Sequence, residues 1–226
     1  MDGHSDQLRG KPPVWDYVVE RGDQIAFLAY QHASLVIQSV ALATAIAMLV
    51  AVLVYRNERL ASAANSVSAV GLTIPSFALL GMLVAPFGFG VVSAVIAVTF
   101  YAALPILRNA VVGLAGVDPR HAEAARGLGM SRLGALVHVE LPLAWPVILA
   151  GIRVSTQMVM GIAAIAAYVL GPGLGGFIFS GLARLGGANA VYSALTGTIA
   201  VVVIALVVDL LLVLVGRLTI PRGIRA

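Results

Sequence analysis

Four long stretches of the chain carry no charged residue, and this feature limits its fold more than any other. They cover residues 33–55, 60–107, 154–183 and 185–208. A helix of about 20 apolar residues crosses the hydrocarbon core of a bilayer, where the backbone must satisfy its own hydrogen bonds. The chain is also 60% hydrophobic and only 11% charged. These observations predict an all-α polytopic membrane protein, and they exclude a soluble enzyme or a nucleic-acid-binding module.

The stretch 60–107 is too long for a single crossing, and its own residues supply a break. Pro86 lacks a backbone donor, and Gly88 and Gly90 tolerate tight turns. A glycine-rich segment at 171–176 ends a later stretch in a similar way. The sequence therefore predicts five spans within a transmembrane domain of residues 33–216. We place them at about residues 33–55, 66–84, 91–107, 145–170 and 192–215.

Basic residues are distributed unequally between the two sides of these five spans. With the N-terminus outside, nine arginines face the cytoplasm, whereas three arginines and one lysine face outward. Cytoplasmic loops carry the excess of basic residues, so the sequence predicts an N-out, C-in protein. Residues 1–32 would form an external amphipathic segment, either at the membrane interface or packed on the protein itself. Residues 217–226 would form a cytoplasmic tail.

The third and fourth spans are joined by the longest stretch of mixed polarity, residues 108–141. Asp118 can cap a helix that starts at Pro119, and Gly129 allows the chain to turn where that helix ends. Ser131 can cap a second helix, which we expect to end before the Leu-Pro pair that closes the stretch. The sequence thus predicts a cytoplasmic helix-Gly-helix loop.

A motif inside this loop resembles the EAA loop of binding-protein-dependent ABC importer permeases. It consists of Glu123-Ala124-Ala125, Gly129 and, after nine residues, Val139-Glu140-Leu141-Pro142. The alternative is an amphipathic re-entrant helix without a partner. The resemblance implies a five-span type I permease core whose loop couples the spans to an ATPase. The glutamate would accept hydrogen bonds from the ATPase or the loop's own amides, the alanines would permit close approach, and the glycine would permit the turn.

Further segments are similar to the osmoprotectant branch of that family, whose members carry glycine betaine, carnitine, choline or proline. They are Gln31-His32, Thr73-Ile74-Pro75-Ser76, Leu104-Pro105-Ile106-Leu107-Arg108-Asn109 and Val117-Asp118-Pro119. The chain departs from the branch at 171–176 and 52–55, which leaves the exact solute open. The resemblance implies a permease subunit that forms the path for a compatible solute.

An importer needs an energy source, and this sequence contains no G-x-x-x-x-G-K-[ST] loop. The single lysine, Lys11, is followed by Pro12. The resemblance therefore implies a partner dimer of ABC ATPases that uses ATP and Mg²⁺, with no cofactor and no catalytic residue in this chain. It also implies an external solute-binding protein and a second permease subunit, either a copy of this chain or a different one. The complex would lie in the cytoplasmic membrane of a bacterium or archaeon.

Polar side chains inside the spans are candidates for lining the solute path. They are Thr73 and Ser76 beside Pro75, and Ser155, Thr156 and Gln157 in the fourth span. Each could instead bond the preceding helical turn or allow close helix packing. Quaternary ammonium ligands are usually held by aromatic faces, but the sequence shows no cluster of Trp or Tyr. We therefore expect a low-affinity passage, with ligand selection left to the external binding protein.

Asp209 is the one acidic residue inside a predicted span. A charge in lipid is costly and needs a partner. Arg153 of the fourth span lies at a similar depth from the cytoplasmic side when both are counted at about 1.5 Å per residue. We predict an ion pair between them, or a shared polar network that ties the fourth span to the fifth. The alternative is that Asp209 bonds to Ser or Thr neighbours while Arg153 reaches the headgroups.

A secondary transporter or channel is the main alternative function. Such proteins tend to place ionisable groups at the membrane midplane and to contain inverted repeats. We find no repeat, and no carboxylate at the middle of the first four predicted spans. The four histidines have no second ligand at metal spacing, so we expect no metal site. An intramembrane enzyme is disfavoured because the spans contain no Ser/His, paired-Asp or HExxH arrangement.

Overall fold

The computed structural model describes residues 13–220, and every regular element within that range is a helix. The helices are α1 (Pro13–Glu20), α2 (Gly22–Val54), α3 (Glu58–Thr73), α4 (Ser76–Phe87), α5 (Val91–Ala115), α6 (Pro119–Gly127), α7 (Arg132–Ala135), α8 (Leu141–Ile165), α9 (Gly175–Ala183) and α10 (Ala190–Thr219). The predictions made for residues 1–12 and 221–226 lie outside the described part of the chain.

Four helical stretches are long and apolar enough to cross a membrane. They are α2, α5, Arg132–Val169 and α10, and the bent pair of α3 and α4 gives a fifth if it is counted as one span. The predicted all-α polytopic architecture is therefore confirmed. The orientation of the spans remains a prediction.

Small side chains hold the core of the bundle together, where α5 packs against both α2 and α8. Ala47 of α2, Ala102 of α5 and Ala163 of α8 are all buried. Gly151 of α8 approaches α5 so closely that an added Cβ would lie 2.5 Å from the Cβ of Asn109. Helices in lipid associate through such close packing because the bilayer supplies little hydrophobic drive between them.

The second predicted span is not one straight helix. The sequence predicts a helix over 66–84, but the chain bends by 92° between α3 and α4. Pro75 causes the break because it has no N–H and forces Ile74 into an extended conformation (φ −67°, ψ 125°). The Tyr101 hydroxyl donates to the Ile74 carbonyl at 2.6 Å. This bond satisfies an acceptor at the bend.

The second loop helix does not end before Leu141-Pro142, as the sequence predicts. Helix α7 continues through a π-helical segment, Leu136–Glu140, directly into α8. The Leu141 N–H bonds to the Leu136 carbonyl, five residues back. We attribute the wider turn to Pro142, which removes one donor and crowds the preceding turn of a regular α-helix. The loop is therefore shorter than predicted, and the helix beyond it runs without interruption to Val169.

The N-terminal segment divides differently from the prediction for residues 1–32. Residues from Gly22 onward already belong to the long helix α2. Tyr17 of α1 is buried, and its ring centroid lies 6.4 Å from that of Tyr192 on α10. Of the two alternatives left open for this segment, the structure therefore favours packing on the protein itself.

The sequence predicts no helix between the fourth and fifth spans, but α9 lies there. Leu170 adopts a left-handed conformation (φ 59°) where the preceding helix ends. An added Cβ on Gly181 would lie 2.5 Å from the Ala190 carbonyl oxygen, and one on Gly197 would lie 2.9 Å from the Phe177 Cβ. These glycines let α9 fold back tightly onto α10.

Candidate functional site

The loop between α5 and α8 is built by local capping interactions. An Asp118 carboxylate oxygen accepts from the Arg120 N–H at 2.9 Å, and Pro119 occupies the first turn of α6. Gly129 has φ +88°, a region that glycine adopts readily, and turns the chain toward α7. The Ser131 hydroxyl accepts from the Gly134 N–H at 3.0 Å. These residues form the helix-Gly-helix turn that their types predict, and we call residues 118–131 the elbow.

The elbow and the start of α7 expose apolar side chains outside the core. Leu128, Met130 and Leu133 are exposed, and Leu133 is 68% exposed. Glu123 and Ala124 are exposed beside them, whereas Ala125 is buried against the protein. The five exposed residues form what we call the elbow surface. Contiguous exposed apolar side chains outside the spans are typical of a protein-binding surface.

Leu141 and Pro142 do not lie on the elbow. They occupy the first turn of α8, where Leu141 is half-buried and Pro142 is exposed. Because the helix is continuous from Arg132, they join the elbow rigidly to the membrane span. The motif that resembles the EAA loop therefore includes both the elbow surface and the first turn of α8.

Beneath the elbow, the buried Glu140 carboxylate ties α8 to the end of α2. The Tyr55 hydroxyl donates to Oε2 at 2.7 Å, and Arg56 Nη2 donates to Oε1 at 2.8 Å. Burial, together with the nearby Glu140 carboxylate, raises the pKa of Tyr55 to about 12.

From the sequence, Glu140 is recognised only as part of the motif. Its position between the apolar residues Val139 and Leu141 is the one signal of its site, and the neighbouring sequence does not identify its hydrogen-bond partners. The Glu140 site faces a cavity of about 400 Å³ that separates it from the elbow. The cavity lining includes Tyr55, Arg56, Arg126, Arg132 and Glu140.

The six candidate path residues divide into two groups. Ser155 and Thr156 are buried inside the subunit, where they donate to the Ala102 and Ile152 carbonyls at 2.7 Å each. These two pack helices in this conformation, which is the alternative considered for them. Thr73 and Pro75 are exposed at the bend between α3 and α4, Ser76 is half-buried beside them, and Gln157 is exposed on α8.

The structure brings Arg153 of α8 and Asp209 of α10 together. Arg153 Nε and Nη2 lie 3.0 and 2.9 Å from Asp209 Oδ1, and Nη2 also lies 3.0 Å from Oδ2. Gln157, one turn along α8, donates to the same Oδ1 at 2.9 Å. The carboxylate thus receives donors from two side chains of one helix. Gln157 belongs to this network, which the sequence did not indicate.

Within the described residues, no three His, Cys, Asp or Glu side chains form a cluster that could hold a metal ion. His32 is buried in α2, with Nε2 3.2 Å from the Met160 carbonyl oxygen. It packs between helices in this structure.

Comparison with known proteins identifies the family of the chain. Residues 43–220 match the profile of the binding-protein-dependent transport system inner membrane component. The chain belongs to this family. It is a permease subunit of a binding-protein-dependent ABC importer, a multi-pass membrane protein that works with a solute-binding protein and an ATPase. The alternative of a secondary transporter or channel receives no support.

Relatives match the permease over nearly its whole length. The carnitine transport permease protein OpuCB of Listeria monocytogenes is 39% identical over 207 residues, covering 91% of this chain and 93% of that protein. The choline transport system permease protein OpuBB of Bacillus subtilis is 33% identical, covering 94% and 96%. The osmoprotectant import permease protein OsmW of Salmonella typhimurium is 36% identical, covering 92% and 98%.

The permease also shares its fold with a solved ABC transporter. A chain of the MetNI methionine ABC transporter, in an inward-facing conformation, matches with a TM-score of 0.72 at 19% identity. The match covers 93% of the permease and 99% of that chain. It supports the five-span importer fold expected from the EAA resemblance.

Proposed function

We propose that this permease moves a compatible solute, namely glycine betaine, carnitine, choline or proline, across the cytoplasmic membrane. Relatives at 33–39% identity carry names that specify carnitine, choline or osmoprotectant transport. The observation that carries the coupling role is the elbow surface, an exposed apolar patch on a rigid turn. It is joined without a break to a membrane-spanning helix.

Energy transfer would proceed through the elbow. A partner ATPase dimer, using ATP and Mg²⁺, would hold the elbow surface in a groove and push it as its two halves close. Leu133 lies one residue into the stretch Arg132–Val169, so a displacement there moves that helix as a unit. Packed helices have a few discrete arrangements and do not deform continuously, so such a push can switch the bundle between two states.

The remaining partners follow from the same proposal. A second permease subunit, either a copy or a different chain, would complete the path, and an external binding protein would deliver the solute. The predicted N-out, C-in orientation would put the elbow on the arginine-rich cytoplasmic side, where an ATPase would meet it. Thr73, Ser76 and Gln157 remain the candidate lining residues because they are not fully buried in the subunit.

A matched pair of variants tests the docking role of the elbow. Leu133 and Leu185 are each 68% exposed, but they lie on different loops, which the predicted topology places on opposite sides. Leu133→Glu should abolish co-purification of the ATPase, because a charge on an apolar contact must be desolvated. Leu185→Glu should leave it intact. ATPase capture by Leu133→Glu at the wild-type level would contradict the proposed docking role.

Coupling can be tested separately from docking. Gly129→Pro should abolish solute-stimulated ATP hydrolysis, because proline cannot adopt the φ of +88° found at this position. Glu123→Lys should also impair it by reversing the charge at an exposed position of the elbow surface, where the ATPase would dock. Both proteins should still insert in the membrane. Wild-type transport by both variants would refute the coupling assignment.

A further inference from the structure

Three aromatic side chains from separate elements meet at one end of the bundle. Phe77 lies at the start of α4, Tyr168 lies in the 3-10 turn Ala166–Val169, and Phe179 lies in α9. The ring centroid distances are 5.3 Å for Phe77 to Tyr168, 5.7 Å for Tyr168 to Phe179 and 6.3 Å for Phe77 to Phe179. We call these three residues the aromatic cluster.

The aromatic cluster lies at the end of the bundle opposite the elbow. The Gly90 N–H donates to the Val169 carbonyl at 2.8 Å, so Tyr168 lies beside the start of α5. Helix α5 then runs 25 residues to Ala115, next to the elbow. In the predicted topology, the aromatic cluster therefore faces the external side, where a binding protein would release solute.

The rings meet edge to face, as aromatic side chains do in packed cores, but two of the three are exposed. The ring planes are inclined to one another by 74°, 87° and 57°, so the rings form a corner and not a stack. Phe77 is 47% exposed and Tyr168 is 64% exposed. An exposed aromatic face attracts a cation through the ring quadrupole, and inclined rings are suited to a methylated ammonium group.

The aromatic cluster also stands beside irregular backbone. The bend at Pro75 precedes Phe77 by two residues, and Leu170, with its left-handed φ of 59°, follows Tyr168 by two. Within a membrane protein, non-helical backbone is tolerated where it is buried or lines a water-filled cavity. Broken helices are accordingly frequent at the solute sites of transporters.

We propose that the aromatic cluster is a transient site for the quaternary ammonium group of the incoming solute. This inference rests on the proposed function and adds a recognition site to it. Two exposed rings beside a third would hold the cation weakly, in keeping with a passage of low affinity. The sequence shows no cluster of Trp or Tyr because the three rings come from two distant regions of the chain and two of them are phenylalanines.

The test uses the complete complex in liposomes, with its ATPase, second permease subunit and binding protein. Uptake of glycine betaine, carnitine and choline is compared with uptake of proline, whose ammonium carries no free methyl groups. Phe77→Leu and Tyr168→Leu should lower uptake of the quaternary solutes about three- to tenfold relative to proline. Phe77→Tyr and Tyr168→Phe keep the rings and should retain wild-type ratios.

Phe89→Leu is the matched control, because Phe89 is also exposed and lies next to Gly90 at the same end of the bundle. It should leave the uptake ratios unchanged. Equal losses for proline and the quaternary solutes in Phe77→Leu would indicate a structural or lipid-facing role and overturn the inference. Unchanged uptake in both leucine variants would overturn it too.

The failure of this inference is distinguishable from the failure of the proposed function. A wild-type complex that imports proline but none of the three quaternary solutes contradicts the ammonium site and leaves the importer function standing. A wild-type complex that imports none of the four solutes contradicts the proposed function itself.

Discussion

One long helix begins at α7 and continues through α8. Two carboxylates link it to neighbouring helices, and the protein shields these carboxylates from solvent to different degrees. The Glu140 side chain is 6% exposed and joins the base of α8 to the end of α2. The Asp209 side chain is 24% exposed and joins the middle of α8 to α10. The first network lies beneath the elbow, and the second lies within two membrane-spanning helices.

The donors of the two networks also differ in origin. Tyr55 and Arg56 are neighbours at the end of α2, and both reach across to a carboxylate on another helix. Arg153 and Gln157 are four residues apart on α8, so one helix presents both to Asp209. The two arginines are both partly exposed, at 49% for Arg56 and 38% for Arg153, so the difference lies in the carboxylates. Water reaches the shielded Glu140 carboxylate poorly when a partner is lost, whereas the partial exposure of Asp209 lets water or headgroups replace a lost partner. Breaking the Glu140 network should therefore cost more than breaking the Asp209 network.

The largest effect is expected from Arg56→Met. It leaves the shielded Glu140 carboxylate with only the Tyr55 hydroxyl. Removing one partner of a fully buried ion pair costs about 3–5 kcal/mol, and because the Arg56 side chain is itself 49% exposed we expect a loss at the lower end, about 3 kcal/mol. Denaturant unfolding in mixed micelles measures the loss. The double variant Arg56→Met/Glu140→Leu should recover part of it, because no buried charge remains. A double variant as unstable as the sum of its two single variants would show that the pair is not energetically coupled.

Arg153→Met should have the next largest effect, about 2–3 kcal/mol, because Asp209 then keeps only Gln157 within a membrane-spanning helix. Asp209→Leu added to Arg153→Met should restore much of the stability. The same unfolding assay checks both variants. Strict additivity would show that the contact seen in the structure contributes no coupling energy.

Tyr55→Phe sharpens the comparison by removing one neutral donor and leaving the arginine. A hydrogen bond to a charged group contributes about 1.5–3 kcal/mol, and this one is buried. We expect a loss near the lower end of that range, because Arg56 still neutralises Glu140. The change in the unfolding midpoint should be smaller than that of Arg56→Met. A larger change than that of Arg56→Met would show that the Tyr55 hydroxyl stabilises Glu140 more than the charge of Arg56 does.

Gln157→Leu should have the smallest effect, about 0.5–1 kcal/mol. The carboxylate keeps its three bonds from Arg153, and the partly exposed site lets other donors approach. If Gln157 also lines the path, this variant should slow solute uptake more than it lowers stability. If both solute uptake and stability are unchanged, Gln157 contributes to neither.

The elbow shows which structural features can be predicted from interactions between residues that are close in the sequence. Asp118, Pro119, Gly129 and Ser131 each act on backbone groups within a few residues, so their types alone predicted the turn that they form. The same reasoning ended the second helix too early at Pro142. There the chain avoided a break by widening one turn into a π-helical segment, which depends on the packing of the whole helix.

The bend at Pro75 shows the opposite error. The sequence predicts one helix over residues 66–84, with Pro75 inside it. In the structure, the Tyr101 hydroxyl on α5 donates a hydrogen bond to the Ile74 carbonyl at the bend. Whether a proline kinks a span slightly or turns it by 92° depends on such a remote partner, which is absent from the local sequence.

The sequence by itself determined that this chain crosses a membrane as helices, where most of those helices lie, and which loop carries the motif of its family. Each of these depends on apolar length, caps and charge counts, which act locally or through the bilayer. Apart from the contact between Arg153 and Asp209, which the sequence predicted from their similar depth, only the tertiary structure decided which side chains meet across the bundle. The Glu140 partners, the packing of Ser155 and the aromatic cluster depend on contacts between residues far apart in the chain, which are set by how the helices pack together.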